Sequence, residues 1–580
     1  MRYFKHLLLF VSLLTLSGCG IVRPSTSSNS SSESKPHEFT LSDAPYYVDE
    51  YNEMNDSYSA KRKATFTYGF YSDQPYVIYM TLDTALNELF ETGVTKQQTE
   101  VGFTYTTPVG SIWSVNKDTS SITVTNYESM NLFSTKYDTE FGLIDEETTT
   151  HYVKSEGSII VDDQLITFDL REYNMSIVEY QGNLYIPFSV LNYMTFNWSY
   201  WSSVAFNGSA FYFIDILSGA FGLGAPQNTY ARQFYYGAFN SKNRDRYFAE
   251  HNYYAFMFML DHYYGFLDER FAPWDTYLTN NNPSLKEALM SNDEATYSDA
   301  VDKLINSVIG DGHTNSYNGT SAFGSGSYSS HYYSSDREDQ LSDDYWTCAS
   351  ARYDRFGYNV PALRFSGDTA IITFDGFNHA GYEFTSSNIN GYKNYDSFAL
   401  FHYAFEQINA RSDINNVIFD ITCNGGGDTN ALVPMLGFLT DDVHIQQYSP
   451  LTKAHCDLHY RIDINLDGVY DANDTFKDRY NFYVLTSNYS FSCANLFPGV
   501  CKKEGYAKII GQKSGGGACV VYYTSTPDGK PFRISGNMRE CGDNGYSSHF
   551  DSGVAVDYTL PASSFYDDTA LVNLVDSISN

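Results

Sequence analysis

Between residues 41 and 225 apolar and polar positions alternate, as in SITVTNY (121–127) and LITFDL (165–170). With so much Thr, Tyr, Val and Ile, that alternation predicts strands. Two segments share one form, PYVIYMTLDTALNELF (75–90) and LYIPFSVLNYMTF (184–196): a short apolar strand runs into a helical pattern. From about residue 230 the apolar spacing changes to three and four. YFAEHNYYAFMFMLDHYYGFLDERF (247–271), SLKEALM (284–290) after Asn-Pro, and TYSDAVDKLINSVI (296–309) before Gly310 predict helices, with Gly310 as a C-cap. Residues 318–345 are poor in aliphatics and predict a mobile loop. From 360 onward strands and helices alternate. TAIITF (369–374), NVIFDI (416–421), NFYVLTS (481–487), AKIIG (507–511) and CVVYY (519–523) read as strands. SFALFHYAFEQINA (397–410) and TNALVPMLGFL, capped by Asp428, read as helices. Such alternation implies an α/β core.

A chain of 580 residues is too long for one core. The expected division is a signal peptide (1–18), a tether (19–40), a β-rich α+β N-terminal domain (41–225), a helical cap and loop (226–345) and an α/β core (346–580). The formal charge of −33 argues against nucleic acid or an anionic membrane surface as a partner, because either would be repelled. Arg2, Lys5 and His6 precede the apolar run Leu7–Leu16, and Leu-Ser-Gly leads directly to Cys19. The run is short for a membrane span and reads as a secretory signal. Its end resembles the bacterial lipobox, which implies lipidation of Cys19; the Ser-rich stretch 23–36 then reads as a flexible tether. The expected location is extracytoplasmic, anchored to the bacterial membrane through that lipid. Seven further cysteines leave at least one thiol free unless chains are cross-linked, and none has zinc spacing.

Three local settings carry chemistry. His313 lies in GDGHT (310–314), just past a predicted helix end. Cys423–Asp428 (CNGGGD) follows a predicted buried strand. Ser492 lies in SFSCANLF (490–497), at a predicted strand-to-helix turn. A base, a hydroxyl and a glycine turn that lets backbone N–H groups approach a carbonyl are the parts of acyl transfer. Serine at such a turn is also the commonest N-cap, and Ser490 is a second candidate. Cys423 and Cys493 read as buried small residues rather than nucleophiles.

The DGHT turn, the strand–NGGG turn, the S-x-S-x-x-N segment and the later GVAVD together resemble the tail-specific, or C-terminal-processing, serine peptidases. The similarity covers about residues 230–580, and is greatest to the branch with tricorn and the chlamydial secreted protease. It implies a crotonase-like (ClpP-like) α/β core with a helical cap, a polypeptide substrate and no organic cofactor. It also implies Ser492 as nucleophile, His313 as base, and Asp551 of FDSGVAVD in the acid's place, where the family usually has Glu. Gly425, Gly426 and the Cys493 N–H correspond to the oxyanion turn. The branch with a lysine base carries it at position 517, which here is Gly; Lys513 lies four residues early. Asn495 stands where Glu is common. About 55 residues separate His313 from the strand at 369, too few for the PDZ domain of the lysine branch. The two strand–helix segments weakly resemble a repeat named after the amine-oxidase N-terminal domain, and suggest a binding or spacer role.

DINLDGVYDAND (463–474) fits a twelve-residue calcium loop: Asp463, Asn465 and Asp467 at positions 1, 3 and 5, then Val469, Asp471 and Asp474 at 7, 9 and 12. A structural calcium ion is therefore expected, with an Asx-rich turn as the alternative. Three functions compete. One is a serine-type peptidase using Ser, His and an acid. Another is a retired scaffold binding peptide or glycan, suggested by Gly517, Asn495 and Asp551. The third is a crotonase-like acyl enzyme, which an extracytoplasmic address would separate from coenzyme A thioesters.

Overall fold

The computed structural model describes residues 37–579 except 53–56, 132–150, 162, 215, 217–220, 222–228, 272, 318 and 326–330. The signal segment, Cys19 and the Ser-rich stretch lie outside the described residues. Among the described residues no helix is long and apolar enough to cross a membrane.

The chain forms a mixed α/β fold, with β-sheet dominating the N-terminal part and helices and sheets combined in the C-terminal part. In the N-terminal part a seven-stranded sheet runs in the order 178–180, 183–187, 74–81, 57–71, 39–52, 211–214, 203–206. Both predicted strand–helix units are present. Strand Gln74–Thr81 passes into helix Leu82–Phe90, and strand Asn183–Pro187 into helix Phe188–Asn192. The two strands pair antiparallel, so the units are neighbours. A five-stranded antiparallel meander from 95 to 169 completes this part.

In the C-terminal part, strands Thr369–Thr373, Asn416–Asp420, Asn481–Thr486, Lys508–Gly511 and Tyr558–Thr559 form a parallel ladder. Strand Leu363–Ser366 pairs antiparallel at its edge. Crossover helices Ser397–Asn409, Thr429–Gly437 and Cys493–Glu504 connect the first four parallel strands, as parallel pairing requires. Every residue of 369–373 and 416–420 is buried, which explains why these strands read as apolar runs rather than alternations.

A second six-stranded sheet joins the two parts of the chain. Its path is 315–316, 531–540, 443–448, 455–462, 153–161, with 519–525 pairing on 531–540. Strand Val153–Val161, from the N-terminal half, thus pairs with His455–Ile462. Further contacts reinforce the join: Tyr193 Oη donates to the Ser525 carbonyl at 2.8 Å, and Asn197 Nδ2 to that of Tyr523 at 3.0 Å.

Two element boundaries differ from the pattern. The long helix spans Arg246–Tyr263 and stops well before 271. The expected loop over 318–345 is in part helix, since Asp336–Phe356 is helical. Its start is a capping box: Ser335 Oγ accepts the Glu338 N–H, and the Glu338 carboxylate accepts the Ser335 N–H. Few of its residues are buried, so the apolar stripe that announces a helix is weak there.

The calcium expectation is overturned. Among the described residues no group of three or more His, Cys, Asp or Glu could hold a metal ion. Along 463–474 the side chains cap their own backbone. Asp463 accepts the N–H of Asp467 at 3.2 Å and of Gly468 at 2.7 Å, while Asn465 also accepts from Asp467 at 2.9 Å. Asp467 accepts from Val469 at 2.9 Å, Asp471 from Asn473 at 2.7 Å, and Asp474 from Asp471 at 2.8 Å. The spacing that can wrap a cation is also the spacing of nested Asx turns.

Candidate active site

Ser492 sits at the junction between strand Asn481–Thr486 and helix Cys493–Glu504, with φ 57° and ψ −123°. That region is sparsely populated for a residue with a Cβ, and such strain persists only when surroundings impose it. The hydroxyl makes no capping hydrogen bond, which removes the N-cap role. Three backbone hydrogen bonds hold the turn: Ser492 N–H donates to Gly516 O at 2.8 Å, Phe491 N–H to Asn424 O at 3.3 Å, and Gly515 N–H to Ser490 O at 2.8 Å. Ser490 is committed elsewhere: its hydroxyl donates to Ile421 O at 2.8 Å and accepts the Ser487 N–H at 3.0 Å.

The glycine turn packs directly against this junction. At Gly426, with φ 112°, an added Cβ would lie 2.7 Å from Ser492 Cβ and 3.1 Å from Cys493 N, so only glycine fits. The Gly426 N–H donates to Asn424 Oδ1 at 2.9 Å. Gly425 packs against the Tyr489 hydroxyl. Gly427 and Cys493, by contrast, line a cavity of about 360 Å³ together with Ser492, Asp428, Gly517 and Glu540. Gly427 thus shares the cavity lining with Ser492, while Gly426 packs against the serine itself. The Cys493 thiol donates to Gly427 O at 3.1 Å, and burial pushes its pKa up. Cys423 is likewise buried, its thiol pushed up to about 12 by desolvation. None of the seven described cysteines forms a disulfide.

His313 reaches this region from the helical segment. Helix Glu294–Lys303 continues through a wider turn, Leu304–Ile309, and ends at Gly310 in the left-handed region (φ 46°). Asp311 then organises the turn: its carboxylate accepts the N–H groups of His313 at 3.0 Å and Thr314 at 2.8 Å, and the Thr314 hydroxyl at 3.0 Å. Asn315 and Ser316 pair with Arg533 and Phe532, docking the turn on the second sheet. The imidazole is 4% exposed and packs on Phe491, ring centroids 4.8 Å apart. Neither ring nitrogen has a hydrogen-bond partner among the described residues, so His313 bonds to neither Ser492 nor Asp551 in this structure. Burial lowers its pKa to about 4, against the nearby Asp311 charge.

Asp551 is buried and ion-paired with Arg270 and Arg337, each at 3.3 Å. Its effect on His313 is through space, favouring the imidazolium. Position 517 lies against the histidine: a Cβ on Gly517 would meet His313 Cε1 at 3.1 Å and Phe491 Cζ at 2.7 Å. Lys513 is exposed. Asn495 accepts from Ser514 Oγ at 2.7 Å and donates to Phe550 O at 3.2 Å, tying the serine-bearing helix to the segment that holds Asp551. The sequence reading missed Glu540, a buried carboxyl on strand Pro531–Glu540 that lines the cavity; no motif surrounds it.

Residues 368–559 match the family model of Peptidase family S41. No curated protein matches the sequence. Among solved structures, a "putative peptidase" from Parabacteroides merdae is similar at 18% identity over 55% of this chain and 90% of its own, with a TM-score of 0.38. The photosystem II D1 C-terminal processing protease is 16% identical over 36% of this chain, which spans about half of its length (50%; TM-score 0.27). A lipoprotein from Streptococcus agalactiae is 16% identical over 40% of this chain and 74% of its own, with a TM-score of 0.27.

Proposed function

We propose that the chain is an extracytoplasmic serine peptidase, lipid-anchored through Cys19, that hydrolyses peptide bonds with Ser492 as nucleophile and His313 as base. The observation that carries this reading is Ser492 itself: a strained, uncapped serine at a helix N-terminus, opening on a cavity beside Gly427. In the mechanism, His313 takes the Ser492 proton as Oγ attacks the substrate carbonyl, then delivers it to the leaving amine. The backbone N–H groups of Cys493 and Gly427 would receive the developing oxyanion. A histidine with a low pKa is neutral, as a base must be, throughout the physiological range.

Gly517 supports histidine over lysine. In the resemblance, position 517 bears the lysine of the other branch, and a side chain there would take the room of the imidazole. The crotonase-like description of the core rests on the parallel ladder with its crossover helices, and the division of the chain on the change from sheet to helix to α/β, with helix Asp336–Phe356 running across the expected boundary at 345. Asp551 is the acid of this reading, its charge shared with Arg270 and Arg337.

A second reading, a retired scaffold that binds peptide or glycan, is favoured by the missing Ser492–His313 hydrogen bond. Turnover of an unstructured protein substrate separates the two. Native protein should hydrolyse it and Ser492→Ala should not; equal, negligible cleavage by both would leave the scaffold.

A further inference from the structure

The cavity that opens on Ser492 has a chemical character of its own. Its walls include Leu496, Val520, Val521 and Tyr523, while its carboxylates are Asp428 at the exposed turn and Glu540 on the second sheet. Glu540 is 6% exposed. One of its oxygens accepts Gln447 Nε2 at 3.0 Å, which holds the side chain, and its backbone N–H donates to Ala518 O at 3.0 Å, which fixes the strand end. Among the described residues, no Lys, Arg or His lines the cavity. Lys503 lies near Glu540 but bonds to Gln446 Oε1.

Resting on the peptidase reading above, we infer that this cavity is the subsite for the substrate side chain next to the scissile bond, and that Glu540 selects lysine or arginine there. The apolar walls suit the methylene stem of such a side chain, and the carboxylate suits its charged head. A buried carboxyl with one hydrogen-bonding partner among the described residues is costly to leave alone, and an entering cation offsets that cost. The net charge of −33 also draws basic peptides toward the molecule. Burial pushes Glu540 up to about 8, so in the empty site it is largely protonated at neutral pH. A cationic side chain must therefore displace that proton, and selectivity for it increases as pH rises. The groups facing Glu540 are Gln447, Lys503, the buried thiols of Cys493 and Cys541, and Asp428 across the cavity.

The test compares two fluorogenic peptides that differ only at this residue, arginine against norleucine, in native protein, Glu540→Gln and Glu540→Asp. The native enzyme should prefer arginine, with the kcat/KM ratio rising between pH 6 and 9. Glu540→Gln should lower that ratio at least tenfold and flatten its pH dependence, and Glu540→Asp should retain part of it. Should Glu540→Gln not fold, native protein alone decides: benzamidine should slow fluorophosphonate labelling of Ser492. A native ratio near one, a ratio unchanged in Glu540→Gln, or labelling indifferent to benzamidine would overturn the inference. Labelling of Ser492 without basic preference defeats this inference alone. Absence of any labelling or turnover defeats the peptidase reading, and this inference with it.

Discussion

At the scale of single residues, His313 and Gly426 make opposite demands. His313 is buried without a hydrogen-bond partner among the described residues and neutral down to about pH 4. If it is the base, the acid limb of kcat/KM should fall with a midpoint well below 6.5, near 4, because only the neutral imidazole accepts the serine proton. A limb centred at 6.5 or higher would show that the base is more solvated than this. Gly426→Ala should reduce kcat by roughly 10²–10³-fold, the range seen when one oxyanion donor is lost, since the new Cβ would press on Ser492 and Cys493. Activity assays on folded variant check this directly. Ser492 and His313 stand out as candidates in the sequence because their motifs are local. Glu540 does not, because its place in the cavity is set by strand pairing between residues 443–448 and 531–540, a contact that no local pattern encodes. The aspartates of 463–474 misled for a different reason: oxygens spaced for a cation also satisfy one another's backbone.

Among elements, the DGHT turn is the hinge of the proposed site. Asp311 accepts three hydrogen bonds within it, all buried. Asp311→Ala should leave those donors unpaired at a cost of about 1–3 kcal/mol each. It should therefore lower the melting temperature and reduce kcat more than it raises KM, while Lys513→Ala, at an exposed position, should change neither. The strand Cys519–Ser525 plays the complementary part, because it forms a cavity wall and is fastened to Tyr193 and Asn197 of the N-terminal half. Asn197→Ala should raise KM. The parallel strands were readable from their apolar runs, and the crossover helices from their spacing. The helix from 336 escaped because so few of its side chains are buried, although its capping box stands in the sequence as S-x-x-E.

For the whole molecule, buried titratable groups set the dependence of stability on pH. Burial lowers His251, His262 and His313 to about 4 from 6.5. Their contribution is complete above 6.5 and is lost as pH falls through about 4, where the folded state must accept protons that the unfolded chain already binds. Burial raises Glu128 to about 7 and Glu540 to about 8. Their contribution is complete below about 4.5 and is lost as pH rises through 7 and 8. Between pH 6.5 and 8.5 only the carboxyl groups of this set change, so the melting temperature should decline over that range. Glu128→Gln and Glu540→Gln should each flatten the decline; calorimetric scans at fixed ionic strength measure it. The join between the chain's two parts was the least legible feature at this scale. Strand 153–161 pairs with 455–462 across some three hundred residues of sequence, and its sequence records only that it is a strand.

The most direct measurement of the central claim is site-mapped labelling with a fluorophosphonate, which reacts only with an activated serine. The account predicts a single adduct on the peptide that contains Ser492, not on Ser490, absent in Ser492→Ala and slowed roughly 10²–10⁴-fold in His313→Ala. An adduct on another serine, or labelling of Ser492 at an undiminished rate in His313→Ala, would contradict it.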